Sequence, residues 1–237
     1  KTIVVDLDTG RIIHVGDGRG KDVLKDFWLK VDRYGIVIEH IATDMSPAFI
    51  APVMENAPVA VHVLDHFHVV RLMTDAVDEL RKRMYHEEKD INRRKVIKGI
   101  RWLLLCNGKD MFDKGYSSRL ENALDMNRPL AQAYYLKEGM REIWTQDSKE
   151  KAAVVLDDWV MQARSTKIPV LIKVANTIAA HRRGILAWYD CNISTAKVEG
   201  INNKIKVLKR NAYGFRDDEY LKLRLYNLHQ RHITAFV

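Results

Sequence analysis

Ser194-Thr-Ala-Lys-Val-Glu199-Gly-Ile-Asn202-Asn-Lys204-Ile-Lys206-Val-Leu-Lys209-Arg210-Asn-Ala-Tyr-Gly214-Phe-Arg216 is the stretch on which the reading of this chain turns. Ile201, Ile205, Leu208 and Ala212 recur every three or four residues, which predicts a helix with one apolar stripe packed inward. Glu199, Asn202, Lys206 and Lys209 then fall in a row along a neighbouring face. Ser194 and Thr195 are candidate caps for the start, and Gly214 marks the stop. Two readings fit a carboxylate at the N-terminal end of a basic face. In one, the helix is a solvated amphipathic element whose Glu complements the dipole. In the other, Glu199 holds a divalent metal while the lysines and Arg210 follow a phosphate backbone. Spacing alone does not choose between them.

The rest of the chain narrows the setting. Its 237 residues suffice for a sizeable core, and 47% apolar with 30% charged residues describes a soluble globular protein rather than a disordered one. No apolar run approaches a membrane span and no signal peptide precedes the first strand, so a cytoplasmic location is expected. Lys1 lies directly within a strand-like run without an initiator Met, and the chain reads as a piece of a longer protein. Cys106 and Cys191 have no metal-ligand spacing, so neither a zinc site nor a disulfide framework is indicated. A formal charge of +8 favours an anionic partner. From Lys197 onward nine Lys and Arg face four Asp and Glu, which concentrates that charge beside Glu199.

In chain order, Thr2 to Val5 and Arg11 to Val15 read as antiparallel strands joined by a tight turn at Asp8-Thr-Gly10, with Asp6 closing the first. Gly16-Asp-Gly-Arg-Gly20 resembles a phosphate cradle but lacks the following Lys-Ser/Thr, so a plain connector is expected. Asp22 to Val31 has helical periodicity. Gly35 to Ala42 is a nearly continuous apolar run that predicts a buried strand delivering Asp44, before a helix begun by Ser46 and Pro47 and running to Asn56. Asp44 is a sheet-edge carboxylate or a turn residue. Val59 to Leu64 predicts a second buried strand, ending in Asp65-His66-Phe67-His68, where Asp65 either caps a helix or orients His68 toward a cleft. From Val69 to about Asp190 the pattern is helical, with a break expected at Pro129 and the Trp and Leu positions assigned to core. His181-Arg182-Arg183 is either a helix end favoured by the dipole or a DNA contact.

The run Glu199-Gly-Ile-Asn202-Asn-Lys204-Ile-Lys206-Val-Leu-Lys209-Arg210-Asn-Ala-Tyr213-Gly214-Phe215-Arg216 resembles the end of the catalytic domain of bacterial insertion-sequence transposases of the ISL-three family. Asp65, Phe67, His68 and Val69 match that family's D-x-F-H-V signature, and Thr43-Asp44-Met45-Ser46-Pro47-Ala48 matches the segment carrying its second catalytic Asp. The resemblance implies an α/β fold: an RNase H-like mixed sheet with flanking helices, its first strand lying upstream of Lys1, interrupted by a large all-helical insertion. It divides the chain into a first core part over 1–70, the insertion over 71–190, and a catalytic helix with a basic tail over 191–237.

By the same resemblance Asp44 and Glu199 belong to an Asp-Asp-Glu triad that holds two Mg²⁺ or Mn²⁺ ions, with Asp65 and His68 in support and Asn202, Lys204, Lys206, Lys209 and Arg210 on DNA. The triad's first Asp is expected upstream, with Asp6 as its alternative, so this fragment is expected to be inactive alone. The implied activity is metal-dependent cleavage and strand transfer at insertion-sequence ends. The implied partners are double-stranded terminal repeats and target DNA, bound by a homodimer at the nucleoid. Zinc-binding and helix-turn-helix modules are expected upstream. Two other classes remain open: a nucleic-acid-binding module without chemistry, and an RNase H-like nuclease.

Overall fold

The computed structural model describes residues 1–106, 117–191 and 196–228. It is a mixed α/β protein dominated by helices, with two small sheets. The chain divides into two compact units, Lys1–His62 with Asn192–Val237, and Val63–Cys191. No described helix is long and apolar enough to cross a membrane.

The first unit begins with the expected hairpin, β1 (Thr2–Val5) against β2 (Ile12–Gly16), antiparallel with Thr2 opposite Gly16. The register slips between Val4 and Val5, because Val4 faces His14 while Val5 faces Ile12. Ile13 is the extra residue, and it is exposed while Ile12 and Val15 are buried. Asp6 closes the turn by accepting the Asp8 amide (2.9 Å) and the Thr9 hydroxyl (2.5 Å), and Gly10 takes the left-handed φ of +72°. The following glycine-rich loop is a connector. A Cβ on Gly16 would lie 2.6 Å from the Val23 carbonyl oxygen, and the Asp17 carboxylate is held by Lys1 and Lys222.

A 3₁₀ turn (Lys21–Leu24) leads into α1 (Lys25–Arg33), which buries Trp28. The strand expected over Gly35 to Ala42 is shorter. Gly35 (φ +60°), Ile36 and Val37 are exposed, and β3 covers only His40–Thr43. The run buries what it can through Ile38 and Ile41, which pack with Val4 of β1 on the Leu24, Trp28, Val53 cluster. After β3 come α2 (Pro47–Asn56) and β4 (Val61–Leu64), which pairs with β3. Val59, expected within that strand, is exposed. The anticipated single mixed sheet is therefore two strand pairs, β1–β2 and β3–β4, with no ladder joining them among the described residues. Their apolar side chains nonetheless meet in one cluster.

In the second unit, α3 (His66–Glu87) is the axis. Val69, Met73, Val77 and Leu80 are buried along one stripe of it. Around it lie α4 (Ile91–Gly99), α5 (Arg101–Leu105), α6 (Ser117–Asp125), α7 (Arg128–Gly139), α8 (Lys149–Ser165), α9 (Pro169–Ala180), α10 (Arg182–Leu186) and α11 (Trp188–Cys191). Pro129 begins α7 instead of kinking a longer helix, since its missing N–H costs nothing in a first turn. Within the helical stretch, α4 and α5 are two helices meeting at Ile100, and the change of axis leaves Trp102 more than half exposed while Leu103 and Leu104 are buried. Of the His181-Arg182-Arg183 group, Arg182 is committed to the fold by a bidentate pair with Asp157 (2.8 and 2.9 Å).

The chain returns to the first unit as α12 (Ala196–Asn211) and α13 (Asp218–Tyr226). Ile201, Leu221 and Leu225 are buried with Ile12 and Val15, and Ile3, Val5, Ile205 and Leu208 pack against them. The Tyr226 hydroxyl accepts the Val15 amide at 3.1 Å and so locks α13 to β2.

Candidate active site

The outward face of α12 is what its inward stripe leaves exposed. With Ile201 buried and Ile205 and Leu208 packed on the hairpin, Glu199, Asn202, Lys206, Lys209 and Arg210 are exposed. No side chain among them makes a hydrogen bond or ion pair with another described residue. Glu199 sits in the first turn, and Lys209 and Arg210 in the last, so each charge also suits the helix dipole. Lys204 departs from this face: it lines a shallow pocket with Gly200, Asn203, Val207, Leu208, Asn211 and Leu228. Ala212, expected in the inward stripe, is exposed because the helix has ended at Asn211; Gly214 follows at φ +99°, its amide bonded to the Lys209 carbonyl. Ser194 and Thr195 lie outside the described residues.

Asp44 follows β3 directly, in the same unit as Glu199. Its Oδ1 accepts the Ser46 amide (2.8 Å), which shapes the entry to α2, and its Oδ2 has no partner among the described residues. A feature that sequence reading missed lies beside it. The Thr43 hydroxyl donates to the Asp44 carbonyl (2.8 Å), and His62 Nε2 lies 2.7 Å from that hydroxyl oxygen. Because the hydroxyl proton is already used, Nε2 is the donor. Only the β3–β4 pairing brings a residue nineteen positions away to Asp44's neighbour, and no local pattern announces it.

Asp65 and His68 belong to the second unit. The buried Asp65 has both carboxylate oxygens engaged: Oδ1 caps α3 by accepting the Phe67 amide (3.0 Å), and Oδ2 meets His68 Nδ1 at 2.9 Å. The pair fixes the imidazole so that Nε2 is left for another partner. Asp6, by contrast, has both carboxylate oxygens engaged in the hairpin turn.

Asp44 and Glu199 offer hard oxygen donors of the kind Mg²⁺ and Mn²⁺ take. Among the described residues, however, no three His, Cys, Asp or Glu side chains gather into a metal-holding group. The chemistry of these two donors fits a divalent ion, and their number leaves room for further ligands.

A family model described as "Transposase" matches residues 1–225 of this chain. The chain is 33% identical over 227 residues to the transposase for insertion sequence element IS1001 of Bordetella parapertussis, a match covering 94% of this chain and 56% of that protein. It is 30% identical over 244 residues to the transposase for insertion sequence element IS1557 of Mycobacterium tuberculosis, covering 93% and 54%. The chain thus spans about half the length of the curated relatives it matches. No solved structure matches.

Proposed function

The chain belongs to the ISL-three family of transposases, and from that premise we propose that it is the catalytic part of an enzyme that cuts insertion-sequence ends and joins them to target DNA. The observation that carries this reading is the α12 face. A carboxylate in the first turn is followed by Asn202, Lys206, Lys209 and Arg210, all exposed, in the unit that also holds Asp44.

In this reading the first unit is an RNase H-like core and residues 71–190 are its helical insertion. Asp44 and Glu199 would hold Mg²⁺ or Mn²⁺. A divalent ion supplies Lewis acidity at the phosphate and a more acidic attacking hydroxyl. Lys206, Lys209 and Arg210 hold the flanking phosphates so that nucleophile and leaving oxygen stay in line. In the displacement, a P–O bond forms to water or to a DNA 3′-hydroxyl while the bond to the departing 3′-oxygen breaks. No covalent enzyme intermediate is needed. His62 and Thr43 position the backbone at Asp44. Two such chains, one for each DNA end, form the expected assembly.

Calorimetric titration with Mn²⁺ of the parent chain, Asp44→Asn and Glu199→Gln tests the assignment. Binding lost in both variants supports one shared site. Binding retained in both rejects these carboxylates, and duplex binding indifferent to metal throughout favours a module that holds DNA without chemistry.

A further inference from the structure

The densest positive charge in the described chain is not on α12. Between Arg81 and Arg101 nine Lys and Arg face three Asp and Glu, a surplus of six within a chain whose whole formal charge is +8. These residues occupy the end of α3, the turn after it, α4 and the start of α5, all inside the second unit. We propose that this corner is a second DNA-backbone-binding surface, separate from the α12 face; the choice of DNA as its polyanion rests on the transposase reading above.

The packing makes the charge a surface feature and not a set of internal pairs. Helices α4 and α5 turn back along α3 and bury Ile97, Ile100, Leu103 and Leu104. Arg94 and Lys98 lie at i and i+4 on one flank of α4, and Arg101 opens α5 beyond the bend at Ile100. That flank runs beside α3. Arg101 Nε lies 3.5 Å from Asp78 Oδ1, and the Arg94 guanidinium lies over the Tyr85 ring at 4.8 Å. Arg83 pairs with Glu87 at 3.6 Å, and Asp78 already serves three of these cations. It accepts Arg81 at 2.9 and 2.7 Å through Nε and Nη2, and Lys82 at 2.8 Å, as well as Arg101. One negative charge amid three positive ones leaves an excess that attracts a further anion.

Two details point outward. Lys82, Lys98 and Arg101 are exposed, and Lys98 has no ion pair among the described residues. Phosphate oxygens are the acceptors that planar forks and clustered ammonium groups suit. The backbone of a duplex supplies them at regular spacing, which a single small anion does not.

Fluorescence anisotropy with a labelled random-sequence duplex, over a series of salt concentrations, tests this on the parent chain. The comparison proteins are a Lys82→Ala, Lys98→Ala, Arg101→Ala triple variant, Lys98→Ala alone, and a Lys206→Ala, Lys209→Ala variant. Each lost phosphate contact lowers the slope of log K against log salt by about 0.9, so the triple variant should lose roughly 2.7 and bind about tenfold or more weakly at moderate salt. Lys98→Ala, at an exposed and unpaired position, should lose about 0.9 without the risk to folding. A triple variant and Lys98→Ala that both keep the parent's slope, while the α12 variant loses affinity, overturn this surface and leave the transposase reading intact. A parent chain that binds no duplex at any salt overturns both.

Discussion

Tyr134 and Lys137, one turn apart on α7, show what burial does to single groups in this chain. The Lys137 ammonium is 1% exposed; it donates to the carbonyls of Leu104 (2.8 Å) and Cys106 (2.6 Å), pairs with Glu138 (2.7 Å), and lies 4.9 Å from the centre of the Tyr134 ring. It thereby supplies a donor to two carbonyls at the end of α5. Lys137→Met removes two buried charge-assisted hydrogen bonds and the Glu138 pair, and should destabilise the chain by about 2–3 kcal/mol in urea unfolding. The two groups also give opposite pH dependences. Burial, reinforced by Glu138, pushes the Tyr134 phenol up to about 12 from an ordinary value of 10.0, so the unfolded chain gives up this proton first. Tyr134 therefore contributes its full stability below pH 10, and that contribution declines as pH climbs toward 12. Burial holds Lys137 below its ordinary 10.5, so its contribution instead rises until the unfolded lysine has also lost its proton. Melting temperatures across the alkaline range should fall less steeply for Tyr134→Phe than for the parent, and an identical decline would show that this phenol titrates normally.

At the scale of elements, Asp6 separates turn chemistry from metal chemistry. Its carboxylate holds the Asp8 amide and the Thr9 hydroxyl, so Asp6→Ala should lower stability by about 1 kcal/mol and leave Mn²⁺ affinity at the parent's value. Lost metal binding with an intact melting temperature would make it a ligand. The hairpin itself was legible because its signals are local: β-branched runs, an Asp and a Gly at fixed offsets. The inward face of α12 was legible for the same reason, since a 3.6-residue period needs no knowledge of the partner. Gly35 to Ala42 was not, because β propensity is realised only where a partner strand exists, and β4 offers only Val61–Leu64. Trp102 misled in the same way: apolarity assigned it to a core that the bend at Ile100 turned it away from. The basic corner passed unnoticed because its charge is spread over α3, α4 and α5, and becomes one surface only once they pack.

Over the whole molecule, the separation of the two units in sequence is what kept the site from being readable residue by residue. Asp44 and Glu199 belong to one unit but are divided in the chain by the second, so any juxtaposition of them is a property of folding across that span. The second unit has the opposite character: Val63–Cys191 is continuous, and its buried residues Met73, Leu80, Ile97, Leu104, Leu130, Leu156, Leu171 and Ile178 all lie within it. It is also of ordinary domain size. Its elements are helices joined largely to near neighbours in sequence, with α9 closing back on α3. A core complete in itself and built mainly from local contacts should fold without the rest of the chain. Residues 63–191 expressed alone are therefore expected to give a helical circular dichroism spectrum, a single cooperative thermal transition, and dispersed amide resonances. The isolated segment should also retain duplex binding that weakens on Lys98→Ala, because the α3–α4–α5 corner travels with it. A helical but non-cooperative segment would mean that the core of this unit is completed by residues outside it, and would make its DNA contact a property of the intact chain.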